Sequence, residues 1–291
     1  MTSVTLAAAQ FPCTSDRAAN IAKAKAMVKR AAGEGAQIVL LPELFETPYF
    51  PQDQSAEHFA LAQPFKGNTL IADFADLAKA LSVVLPLSFF EEARNAHYNA
   101  LAMIDADGQV LGRYRKSHIP DGPGYQEKFY FHPGDSGFKV WRTRYGRIGA
   151  AICWDQWFPE SARIMALKGA DVLFYPTAIG SEPPPAPALD SRDHWRRVMQ
   201  GHAAANYVPL VAANRIGVER GQAGELSFYG SSFIAGATGE IVAELGRAEE
   251  GIILAAFDFA AIAKARASWG LFRDRRPDLY GAILTADGGE D

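Results

Sequence analysis

The chain has 291 residues, of which 48% are hydrophobic, 21% charged and 11% aromatic, a composition that excludes a disordered, collagen-like or coiled-coil protein. Its 33 acidic and 29 basic residues give a net charge of −4, which repels phosphate backbones and anionic lipid and argues against nucleic acid or a membrane surface as partner. No apolar run reaches the ~18 residues of a membrane helix. The longest, around 82–90 and 252–263, are broken by Pro86 and Asp258. The N-terminus lacks the basic segment of a secretory signal. Two cysteines, Cys13 and Cys153, are too few for a disulfide framework, so a cytoplasmic chain with reduced thiols is expected.

In chain order, Val4–Gln10 reads as a strand. Ser15 offers an N-cap to a helix that runs through Ala18, Ile21, Ala24 and Val28 and stops near Gly33 and Gly35. Gln37–Leu41 is a short, branched, buried strand. Leu70, Ile71, Phe74, Leu77, Ala78 and Leu81 share one helical face, and Val83–Leu87 follows as a strand. Asp107-Gly108 marks a hairpin between Tyr98–Ile104 and Gln109–Arg115, and Tyr145-Gly146 marks a second between Lys139–Arg142 and Arg147–Ile152. Pro159 starts a helix that ends near Gly169, and a strand at Val172–Tyr175 comes next. The prolines at 183, 184, 185 and 187 force an irregular loop. A helix around Asp193–Ala205 and strands at Val208–Ala212, Gly230–Ala235, Glu240–Glu244 and Ile252–Asp258 complete the pattern. Helices alternating with strands and hairpins indicate one layered α/β (α+β) domain over residues 1–291, with mixed sheets. No 20–50-residue repeat interrupts it.

Three reactive residues stand where strands end. Glu43 follows the run Ile38–Pro42, Lys116 follows Gln109–Arg115, and Cys153 follows Ile148–Ile152. Layered α/β folds present catalytic groups at such ends. A free thiol is mostly protonated at neutral pH and needs a base or a cation beside it. Glu43 suits the base, while Lys116 and the Trp154 N–H suit a developing oxyanion. Taken singly, each residue is as well explained blandly: a cysteine in an apolar strand as a small hydrophobe, a strand-end charge as a solvated rim group. Spacing alone does not bring 43, 116 and 153 together.

The surrounding residues do more. Leu40-Leu41-Pro42-Glu43-Leu44-Phe45, Gly112-Arg113-Tyr114-Arg115-Lys116-Ser117-His118 and Gly149-Ala150-Ala151-Ile152-Cys153-Trp154-Asp155 resemble, in order, the three signatures of the nitrilase (carbon-nitrogen hydrolase) superfamily. The resemblance runs from the first strand to Tyr280. It implies a four-layer α-β-β-α sandwich with two mixed sheets, no cofactor and a Glu43–Lys116–Cys153 triad; no metal is expected, since the histidines and cysteines show no ligand-like spacing. It also implies a second active-site glutamate at Glu127, in Gly124-Tyr125-Gln126-Glu127, and at least a homodimer with residues 259–291 at the interface.

Longer stretches, from Lys116 to Phe131, Cys153 to Glu160, Tyr175 to Pro183 and Leu189 to Trp195, resemble the branch whose substrate is the ureido-alkylamine N-carbamoylputrescine. Pro51, where relatives often carry cysteine, and the 183–187 prolines depart from it. Such a substrate ends in an ammonium that needs a facing carboxylate. Glu182 is the first candidate, ahead of Asp155, Asp121 and Asp190, while Trp154, Trp157 and Tyr130 are candidates for its methylene channel. The alternatives are a β-ureidopropionase or ω-amidase type of activity, whose carboxylate substrates call for Arg or Lys in the pocket. Further off are a Cys–His arrangement using His118, His132, His194 or His202, and a non-catalytic scaffold.

Overall fold

The computed structural model describes residues 3–181, 190–222 and 224–289. In its first part the strands are β1 (Val4–Gln10), β2 (Ile38–Leu40), β3 (Gln63–Pro64), β4 (Leu85–Ala93), β5 (Ala96–Ile104) and β6 (Val110–Arg115), with helices α1 (Arg17–Gly33) and α2 (Thr69–Leu81). The second part adds β7 (Lys139–Thr143), β8 (Gly146–Ala150), α3 (Pro159–Leu167), β9 (Val172–Pro176), α4 (Arg192–Asn206), β10 (Leu210–Ala213), β11 (Ile216–Arg220), β12 (Glu225–Tyr229), β13 (Phe233–Ala235), β14 (Ile241–Glu244), β15 (Gly251–Phe257) and α5 (Phe259–Trp269).

Two mixed sheets lie face to face. In the first, β1 pairs antiparallel with β15 and parallel with β2. A parallel bridge between Ile38 and Val84, with Val39 N donating to Val84 O at 3.0 Å, carries that sheet on into β4, β5 and β6. In the second, the order is β14-β13-β10-β9-β8-β7, with parallel pairing at β8/β9 and β9/β10 and antiparallel pairing elsewhere.

Strand periodicity decides which face each residue serves. Leu6, Ala8, Ile38 and Leu40 belong to the core shared with Ile148, Ala150, Val172 and Phe174 of the second sheet. Their neighbours Ala7, Ala9, Val39 and Leu41 pack with Val28 and Ala31 of α1 and Leu70, Ile71 and Phe74 of α2. Met165 of α3 and Trp195, Met199 and Ala203 of α4 cover the outer face of the second sheet. The layers therefore run helix, sheet, sheet, helix, as the resemblance implied.

Several local details differ from the sequence expectation. The α1 cap is Asp16, whose carboxylate accepts from Ala19 N at 3.0 Å, one residue beyond the expected Ser15. β4 starts later than Val83 and runs to Ala93. It turns into β5 through Arg94 at φ 61°, a tight turn without the glycine that signals one. The hairpin β11–β12 and helix α5 were not expected at all.

The layering places the three strand-end residues. Glu43 lies just beyond β2 and Lys116 just beyond β6, both in the first sheet, whereas Cys153 lies just beyond β8 in the second. Behind Lys116 the chain passes very close to itself. Gly134 N donates to Lys116 O at 2.8 Å, and a Cβ on Gly134 would fall 2.1 Å from Arg115 O. Only glycine fits there without moving the lysine's backbone. Gly134→Ala is therefore expected to cost about 1–3 kcal/mol by overpacking and to lower turnover. Gly33→Ala, at the last residue of α1 where an added Cβ meets nothing within 4 Å, is expected to leave turnover unchanged and to stabilise by at most about 1 kcal/mol. Thermal melts and initial rates of the two variants check this, and a Gly134→Ala protein that melts and turns over like the parent would refute it.

Candidate active site

At the shared end of the two sheets an ammonium is buried between two carboxylates. Lys116 Nζ donates to Glu43 Oε1 at 2.9 Å and to Glu127 Oε1 and Oε2 at 2.8 and 2.7 Å, and all three side chains are fully buried. Glu127 opens the short 3₁₀ turn Glu127–Phe129. Asn99 of β5 donates Nδ2 to Glu43 Oε1 at 2.6 Å, leaving Glu43 Oε2 buried without a hydrogen-bond partner. Burial alone would strip the proton from Lys116, but Glu127 and Glu43 outweigh it and hold the amine firmly protonated. Burial also pushes the Glu127 carboxyl above its ordinary range, Lys116 opposes this, and Glu43 adds to it.

Cys153 begins a 3₁₀ turn, Cys153–Trp157, with its backbone in the left-handed region at φ 41°, a conformation that costs a non-glycine residue about 1 kcal/mol or more. The side chain is 5% exposed, and Sγ lies 3.8 Å from Ala178 O. Burial raises its pKa well above the ordinary thiol value, and Glu43 and Glu127 add to that, against Lys116. The resting sulfur is a neutral thiol. It becomes a nucleophile only if its proton is taken as it attacks, a task that suits the unengaged oxygen of Glu43.

Two buried clamps hold these groups. Asp155 accepts from Ile152 N at 3.0 Å and Tyr114 OH at 2.7 Å through Oδ2, and from His118 N at 2.9 Å through Oδ1, which also lies 2.7 Å from His118 Nδ1. It ties the cysteine turn to the strand that carries Lys116. Arg215 donates to Glu43 O at 2.7 Å, Leu44 O at 3.0 Å and Thr47 O at 3.1 Å, and pairs with Glu219 at 2.8 Å. Glu219 in turn accepts from Tyr49 N. Tyr49, fully buried, donates its hydroxyl to Glu127 Oε1 at 2.6 Å.

A cavity of about 510 Å³ opens on Cys153 and is lined by Asp121, Tyr125, Trp154, Trp157, Ser191 and His194 among others. Among the described lining residues there is no Lys or Arg. Trp154 and Trp157 meet edge to face at 6.2 Å, and Trp157 lies 4.8 Å from His194. Glu182 lies outside the described residues. Two of the proposed lining residues sit elsewhere. The Asp155 carboxylate is fully buried with both oxygens engaged, so it cannot face a substrate ammonium. Tyr130 packs with Phe50, Phe90 and Phe131, and its hydroxyl bonds Asp53 O at 2.6 Å and Ser55 N at 2.9 Å, away from the cavity. Asp190 pairs with Arg247. Tyr49, Asn99, Arg215 and Glu219 were missed by reading the sequence. Arg215 alone left a signal, as a guanidinium two residues past the apolar run Pro209–Ala213.

The carbon-nitrogen hydrolase family model matches residues 5–267. An N-carbamoylputrescine amidase of Solanum tuberosum is 62% identical over 290 residues, covering 98% of this chain and 96% of that protein. A citrullinase of Francisella tularensis is 51% identical over 98% of this chain and 99% of that protein. A crystal structure of a carbon-nitrogen hydrolase from Helicobacter pylori G27 superposes with a TM-score of 0.90 at 38% identity, over 98% of this chain and 100% of that one. The chain belongs to the carbon-nitrogen hydrolase family.

Proposed function

We propose that this hydrolase converts N-carbamoylputrescine to putrescine, ammonia and carbon dioxide through a thioester on Cys153, in polyamine biosynthesis in the cytoplasm. The observation that carries the chemistry is the buried Lys116 ammonium between Glu43 and Glu127, beside a neutral thiol at the floor of a cavity. Two features favour an amine-tailed ureide: the N-carbamoylputrescine amidase relative at 62% identity, and a described lining that offers no guanidinium or ammonium to a carboxylate. Its volume suits a small linear ureide, and Trp154 and Trp157 supply apolar walls for four methylenes.

Glu43 takes the Cys153 proton while sulfur attacks the ureido carbon. Lys116 and the Trp154 N–H stabilise the oxyanion, each such donor being worth about 3–4 kcal/mol. Glu43 then gives its proton to the departing ammonia, leaving a carbamoyl thioester. Water adds to that carbonyl, Glu43 receives a proton from it, and the carbamate leaves as the thiol re-forms. Loss of carbon dioxide gives putrescine. Glu127 positions Lys116 throughout.

For the substrate ammonium, Glu182 stays the first candidate. Ile179 and Ser191, on either side of segment 182–189, both line the cavity, as does Asp121. We also propose self-association through the C-terminal segment, where Trp269 and Leu284 are 71% and 86% exposed.

Four outcomes test this reading. N-carbamoylputrescine is expected to exceed N-carbamoyl-β-alanine and citrulline in kcat/KM on the order of a hundredfold, because an unpaired buried charge costs several kcal/mol; equal rates in ammonia release would refute the substrate. Glu182→Gln is expected to raise KM about tenfold or more with kcat little changed, and an unchanged KM transfers the role to Asp121, tested by Asp121→Asn. Cys153→Ala is expected to abolish turnover with the melting temperature nearly intact. Lys116→Ala is expected to abolish turnover and to lose about 3–5 kcal/mol of stability near pH 8, since it leaves two buried carboxylates uncompensated. A carboxyl whose folded pKa lies above its unfolded value binds its proton more tightly when folded, so that deficit should shrink as pH falls. A Lys116→Ala protein as stable as the parent at pH 8 would argue against the ion cluster.

A further inference from the structure

Every donor position of Lys116 is engaged in the resting site, yet the reaction needs one of them. The ammonium has three N–H groups and makes three short contacts: one to Glu43 Oε1 and two to the oxygens of Glu127. An oxyanion has to compete with a carboxylate for one of those hydrogens. Glu127 Oε1 is the oxygen with another donor, the Tyr49 hydroxyl at 2.6 Å.

Resting on the catalytic roles proposed for Lys116 and Glu127, we infer that Tyr49 is a positioning residue that satisfies Glu127 Oε1, so that one Lys116 N–H is released to the oxyanion while Glu127 stays ionised. Glu127 retains Lys116 through Oε2 at 2.7 Å and Tyr49 through Oε1, and the third lysine hydrogen turns toward the attacked carbonyl oxygen. No covalent bond or net proton changes hands. The tyrosine exchanges a shared acceptor for an unshared one.

The surroundings fix the hydroxyl in place. Tyr49 is fully buried, its ring meets Phe228 edge to face and Tyr125 at a tilt, both at 5.8 Å, and its backbone N–H is held by Glu219. The charged and titratable groups around the Tyr49–Glu127 pair are Lys116, Glu43 and Cys153 on the site side, Tyr125 against the ring, and Glu219 and Arg215 behind it. Burial and the neighbouring carboxylates hold the phenol protonated, so Tyr49 is a donor across the working range. Its bond opposes the upward push of burial on the Glu127 carboxyl. Without that donor, Glu127 takes up a proton at higher pH and Lys116 loses a counter-ion.

The test is the pH dependence of kcat and kcat/KM for the intact enzyme and for Tyr49→Phe, on whichever ureido or amide compound the parent turns over. If N-carbamoylputrescine proves to be the wrong substrate, the parent fails with it while the Tyr49 comparison still runs. The expected result is a kcat loss of about tenfold or more, KM within about twofold, and an acid limb displaced to higher pH. 3-Fluorotyrosine installed in place of Tyr49 keeps the ring and strengthens the donor, and is expected to displace that limb to lower pH. This second substitution decides the matter if Tyr49→Phe does not fold. A kcat loss with an unmoved acid limb, or a parental kcat, overturns the inference, as does a limb that fails to respond to the fluorinated residue.

Discussion

A lysine ammonium without access to water is tolerable only if anions surround it, and this requirement organises the protein's centre. One cation between Glu43 and Glu127 leaves the cluster with a net charge of −1 while both acids are ionised. That is why the surrounding groups are donors: Asn99 on Glu43 and Tyr49 on Glu127. Removing the cation from such an arrangement is far more damaging than building it is stabilising. The cluster is thus an expense of function, carried by the two apolar cores on either side of the first sheet.

The same cluster sets the state of the sulfur. An ion-paired thiolate would need a net positive surrounding, whereas Cys153 sits beside two carboxylates and one ammonium and is buried as well. The thiol waits as a neutral group. Glu43 is suited to take its proton because Asn99 and Lys116 occupy one of its oxygens and leave the other without a partner. Holding that geometry requires both sheets to stay in register, and the Asp155 and Arg215 clamps do so from opposite sides: one joins the cysteine turn to the lysine strand, the other pins the carbonyls of the glutamate turn.

Much of this was legible in the residues. The unbroken apolar runs Leu6 to Ala9 and Ile38 to Leu41 read as strands covered on both faces, and the motifs around Glu43, Lys116 and Cys153 marked the candidate site. What escaped depends on contacts distant in sequence. Tyr49 lies 78 residues from Glu127, and nothing beside it distinguishes a hydroxyl donor from a packed aromatic. Asp155 follows the cysteine by two residues, so it read equally as a pocket carboxylate or a structural hydrogen-bond acceptor. Only the fold shows its carboxylate turned back to Ile152 N and Tyr114. Tyr130 failed for the same reason, because an aromatic near a site motif serves a neighbouring core as readily as a cavity. The Arg94 turn escaped because its left-handed residue is not a glycine.

A neutral resting thiol has a consequence for selectivity. A preformed thiolate attacks any accessible electrophile and climbs the oxidation ladder readily, because reactivity follows thiolate character and exposure. Here the sulfur is buried and protonated, and in the mechanism proposed above it gains nucleophilicity only when Glu43 receives its proton. That transfer is favourable once negative charge can pass to a carbonyl oxygen held by Lys116 and a backbone N–H. Activation and oxyanion stabilisation are therefore one event, realised only with a carbonyl already seated between them. On that proposal the discrimination resides in the transition state, not in the free enzyme, and the cluster that keeps the resting sulfur inert is the one that would make the bound complex reactive.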